Sequence, residues 1–118
     1  MIKQLIFEKH PDVYHPDVMI MLMFPEHYET TENQRVYLKS TAKLVSTEQV
    51  ARAFKLAIGL QEDALERPLT DDERYRFVSE LWRRFNMLLH ECYIEIENPK
   101  AMHRMLMDWL QYEHSLMG

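Results

Sequence analysis

The sequence predicts a mainly α-helical domain, a compact bundle of three to four helices with an irregular N-terminal arm. Three observations lead there. The 118 residues include only two glycines, Gly59 and Gly118, whereas a turn-rich β fold draws on Gly for positive φ. Good helix formers (Leu, Met, Glu and Arg) are abundant. Helix-start signatures also stand directly ahead of apolar residues spaced three and four apart. A chain of this length is read as one domain, residues 1–118, with the irregular arm over 1–30 and the helical core over 31–118.

The arm opens with MIKQLIFE, which suits a strand or a short helix. His10 to Val18 reads HPDVYHPDV. Pro11 and Pro16 bar a regular interior there, and Asp12 or Asp17 can accept backbone amides in an Asx-turn or at a helix start, so a bend is the simpler reading. Val18 to Phe24, VMIMLMF, is either a buried strand or one buried helical segment, so the arm adds a short hairpin or a short helix.

A capping-box pattern at Thr31-Glu32-Asn33-Gln34 predicts a fourth helix near 32–44, although Val36-Tyr37-Leu38 suits a strand equally well. A second box, Ser46-Thr47-Glu48-Gln49, is followed by Val50, Ala53, Phe54, Ala57 and Ile58. That predicts a helix over 47–59 stopped by Gly59, with 60–69 as a fraying turn and connector. Thr70-Asp71-Asp72-Glu73 is a third box, its acids suited to the helix dipole. Behind it Tyr75, Val78, Leu81, Trp82, Phe85, Leu88, Leu89 and Cys92 form one apolar stripe, predicting a helix over 71–91. CYIEIE, 92–97, fits both a strand period and the continuing stripe, and is read as an extended last turn. Asn98 as cap and Pro99 at the first helical position open a last helix over 99–115.

Composition bounds the function. Net charge is −5, and it sits in the second half: residues 60–118 carry seven Lys/Arg against twelve Asp/Glu, while residues 1–59 balance at seven each. Nucleic-acid binders usually show the opposite sign. The longest uninterrupted apolar run, Val18–Phe24, is seven residues, far short of the roughly 20 a membrane helix needs. A single cysteine, Cys92, excludes an internal disulfide and fits a reducing, cytoplasmic setting. No Gly-rich phosphate loop can be made from two separated glycines. Cys92 falls on the apolar stripe two residues from His90, hence on a different face, so neither a catalytic residue nor a cofactor site is expected.

Two sites are weighed as alternatives. His10, Asp12, His15 and Asp17 supply nitrogen and oxygen donors of the kind a divalent metal accepts, but residues five apart in an extended segment point to opposite faces. The region 47–60 resembles the first helix of a DNA-binding helix-turn-helix, with Arg52 and Lys55 placed for phosphate, yet acidic residues follow Gly59.

The leading expectation comes from methionine and aromatics. Nine methionines occur, and Met recurs on adaptable binding surfaces as well as in irregular cores. Met102, Met105, Leu106, Trp109, Leu110 and Tyr112 on the last helix, with Met19, Met21 and Met23, are the expected contact residues. Trp82 and Tyr93 are further candidate anchors. The expected function is a non-catalytic protein-binding module (a small adaptor, inhibitor or assembly factor) working as a homo-oligomer or as a subunit of a complex.

Overall fold

The computed structural model describes residues 12–33, 35–39 and 44–117, with side chains as far as Trp109. The chain runs α1 (Pro16–Met23), β1 (Tyr28–Thr30), β2 (Val36–Leu38), β3 (Leu44–Val45), α2 (Thr47–Leu65), α3 (Asp71–Glu91), β4 (Glu95–Ile96) and α4 (Pro99–Met117). The mainly helical bundle is the fold class the sequence predicts, with four helices among the described residues.

Within the expected irregular arm, Asp17 to Phe24 is the most deeply buried stretch of the fold. Pro16 stands at the first position of α1 and the His15 side chain caps it, Nδ1 accepting from the Asp17 amide at 3.1 Å. Every residue from Asp17 to Phe24 is buried. A helix apolar on all sides has no solvent face to offer, so it becomes a core element with α2 and β2 packed against it.

Among the described residues of 32–44 the expected helix does not form. Tyr28–Thr30 and Val36–Leu38 pair antiparallel instead, with Glu29 opposite Tyr37. The Thr31 hydroxyl accepts from the Arg35 amide at 3.2 Å, closing a hairpin loop rather than a helical first turn. Branched and aromatic side chains at 36–38 suit a pleated, half-buried surface, and pairing with 28–30 satisfies their backbone. Asp17 ties this hairpin to α1: the residue is 2% exposed, and its carboxylate accepts from Arg35 Nε at 3.0 Å.

Both strong capping boxes form. Ser46 Oγ accepts from Gln49 N at 3.1 Å, and Gln49 Oε1 accepts from Ser46 N at 2.8 Å. Thr70 and Glu73 repeat the exchange at 3.2 and 3.0 Å. However, α2 runs through Gly59 unbroken to Leu65, which corrects the expected stop and connector at 59–69. Ile58 and Leu60 pack against the core, and that packing outweighs the weak helix preference of one interior glycine. The helix stops instead where Glu66 turns left-handed (φ 58°) and the Arg67 amide reaches back to the Glu62 carbonyl at 3.3 Å. The Glu62 carboxylate then accepts from the Leu69 amide at 2.9 Å.

Helix α3 has its expected bounds and buries Phe77, Val78, Leu81, Phe85, Leu88 and Leu89. It does not extend into 92–97. Tyr93 turns left-handed (φ 55°), the Ile94 amide bonds the Leu89 carbonyl at 2.9 Å, and Glu95–Ile96 pairs in parallel with Leu44–Val45. The strand period of CYIEIE was the operative one, and it buries Ile94. Asn98 Oδ1 accepts from Ala101 N at 3.2 Å and starts α4, as the sequence predicts. Three helices meet at Phe54, whose ring lies 5.4 Å from Phe85 and 6.1 Å, edge-on, from Trp109.

Candidate interaction surface

The methionine-rich contact residues divide by burial. Met19, Met21, Met23, Met102 and Leu106 are buried inside this chain's own core. Met105 and Trp109 are half-buried and pack against that core. The side chains of Leu110 and Tyr112 lie outside the described residues. The α4 stripe thus faces α3 and α2 within the chain, and its apolar surface is largely consumed there.

The described part of the HPDV doublet, Asp12 to Val18, acts as a joint. Asp12 Oδ1 accepts from the Tyr14 amide at 2.9 Å, and the Asp12 carbonyl accepts from the His15 amide at 2.9 Å. His15 caps α1 while Asp17 turns into the core towards Arg35. Between them Tyr14 packs on α3, its ring 5.4 Å from Phe77 and 5.1 Å from the Arg84 guanidinium. Burial, with Glu80 and Asp12 nearby, pushes the Tyr14 hydroxyl up to about 12. Of the four donors weighed as a metal set, His10 lies outside the described residues. Among the described residues no three His, Cys, Asp or Glu side chains gather where they could hold a metal.

Beside Tyr14 a small hollow of about 210 Å³ is lined by Met19, Arg83, Arg84, Met87 and Glu91. Its cations are already engaged. Arg83 grips Glu80 at 2.6 and 3.0 Å and Arg84 reaches the same carboxylate at 2.9 Å, which holds Glu80 down at about 2. On α2, Arg52 and Lys55 share a shallow surface with Glu48 and Leu56. Because α2 passes straight through Gly59, the turn a helix-turn-helix requires there is not formed.

A different apolar surface stands out at the β3–β4 pairing. Tyr93 and Leu44 are the two most exposed large apolar side chains among the described residues, at 85% and 55%. The strand register places Leu44 opposite Glu95, two residues beyond Tyr93. Alongside lies a broad hollow of about 600 Å³ whose walls include Leu89, His90, Tyr93, Ile94, Ile96 and Pro99. Tyr93 occupies the left-handed position that closes a helix, normally filled by Gly, so its side chain is held outward at some backbone cost.

Sequence reasoning named Tyr93 as an anchor but missed Leu44, Ile96 and Pro99. Leu44 comes opposite Glu95 only through a parallel pairing between residues some fifty positions apart, which local patterns do not encode, whereas Ile96 and Pro99 reach the Tyr93 hollow through the turn that follows α3. The available signal was the absence of Gly after α3, which obliges a side chain to occupy the closing position.

No protein-family model matches this chain, and no curated protein or solved structure is detectably similar to it.

Proposed function

We propose that this chain is a non-catalytic protein-binding module, an adaptor, inhibitor or assembly factor, whose contact surface is the apolar patch around Tyr93 and Leu44. The observation that carries this is the exposure of Tyr93, held in a strained left-handed conformation beside a hollow with apolar walls, with exposed Leu44 on the strand paired to the one that follows it. Strain retained at an exposed aromatic has no packing benefit within the chain, and large aromatics are frequent anchors of protein contacts. The strong carboxylate shifts, at Glu73 and Glu80, have ordinary causes in surface arginine forks that brace helices. A cytoplasmic setting accords with a single cysteine, and no helix among the described residues is long and apolar enough to cross a membrane.

Native mass spectrometry of the protein taken from its own host tests the reading. The expected result is a complex, homomeric or heteromeric, that is lost in a Tyr93→Ser, Leu44→Ser variant with an unchanged fold. Bare monomer in the wild type, or a complex indifferent to both substitutions, overturns it.

A further inference from the structure

We propose that the occupant of this surface is a second copy of the chain, docked with two-fold symmetry about the neighbourhood of Pro99. This rests on the reading of the Tyr93 patch as a protein contact and names its partner.

Two hollows share Pro99 as a common wall. The Tyr93 hollow includes the Glu95 carboxylate, and Glu97 is exposed just beyond it. The second hollow, about 550 Å³, is lined by Lys100, His103, Arg104, Met107 and Asp108 on the first turns of α4. The surface is therefore acidic on one side of Pro99 and mainly basic on the other, with apolar Tyr93 and partly exposed Met107 on the respective sides.

These charges are unspent. Among the described residues Glu95, Glu97, Lys100 and Arg104 form no ion pair within the chain. Arg67, Arg76, Arg83 and Arg84 are, by contrast, each matched to a carboxylate at 2.6–2.9 Å. Lys100 also stands in a first helical turn that holds no acid, where the helix dipole disfavours a cation and an external carboxylate would offset it. In an isologous pair each patch meets its complement twice, so one two-fold axis near Pro99 brings the acidic side of each copy onto the basic side of the other. Charge complementarity of this kind fixes register and excludes like-charged partners.

Light scattering and native mass spectrometry of the purified full chain, alone, decide it. The wild type is expected to be a dimer that weakens as salt rises. Glu95→Lys and Arg104→Glu should each weaken it by about tenfold or more. Mixing those two variants should restore a heterodimer, because both contacts are then again between opposite charges. At dilutions where the chain is monomeric, Lys100→Glu should raise the melting temperature of the fold, while at higher concentration it weakens the dimer, a split that simple unfolding cannot produce. A strict monomer up to about 1 mM overturns the proposal. So does a dimer indifferent to these substitutions, or a mixture that stays dissociated. If the pure chain is monomeric while the host complex still depends on Tyr93, the partner is another protein and the module reading survives without this one.

Discussion

Gly59 and Tyr93 are each other's inverse. Gly59 sits inside α2 with right-handed backbone, and a Cβ built on it meets nothing within 4 Å. Gly59→Ala should therefore stabilise the fold by about 0.5–1 kcal/mol, seen as a higher urea midpoint at unchanged slope. Tyr93 is an L-residue where Gly belongs. Tyr93→Gly should stabilise the isolated chain by about 1 kcal/mol and weaken its association, measured by chemical denaturation and light scattering on the same sample. The sequence invites the opposite assignment, since a glycine after an apolar stripe ordinarily marks a helix end. With only two glycines in the chain, the closures fall to Glu66 and Tyr93, and nothing local marks either residue as left-handed.

At the scale of elements, legibility tracked how local the cause was. The boxes at Ser46 and Thr70 are four-residue devices and form as read, giving α3 its bounds. The hairpin over 28–38 and the β3–β4 pairing depend on partners elsewhere in the chain, so local pattern leaves strand and helix open at 31–38 and in CYIEIE, and the strand is the one that forms. Two carboxylates of α3, Glu73 in its first turn and Glu80 in its middle, also carry a pH signature. Arg67 first, then the Thr70 backbone, hold Glu73 down at about 2, and Arg83 and Arg84 do the same for Glu80. A carboxyl depressed in the folded state stabilises fully above its unfolded value near 4.5, and that contribution is lost as pH falls towards 2. Glu73→Gln and Glu80→Gln should flatten the fall of melting temperature across that window while changing little at lower pH. The link between α1 and the hairpin is tested by Arg35→Ala, which removes the guanidinium from a buried carboxylate. A loss of about 1–3 kcal/mol is expected in equilibrium unfolding, towards the low end because the Arg35 side chain is itself 64% exposed.

Across the whole molecule, the stripes of α2, α3 and α4 were visible as periodicity, but which faces meet was not. Phe54 is where they converge, fully buried between Phe85 and Trp109. Phe54→Ala should cost about 3–5 kcal/mol, a large share of the roughly 5–15 kcal/mol that holds a domain together, and calorimetry should show a much lower melting temperature. The burial of methionines depends on the same unseen pairing of faces. Met19, Met21 and Met23, expected as contact residues of an arm, are buried filling because α1 lies in the core.

The central position of α1 has a consequence for biosynthesis. Its uncharged seven-residue run leaves the ribosome before the partner that covers it, α2, has been made. At about 5–20 residues per second the run waits several seconds in water, a window in which such a segment can stick to its neighbours. Asp17 and Glu26 bracket it closely, and they are the charges that limit that hazard on a crowded polysome.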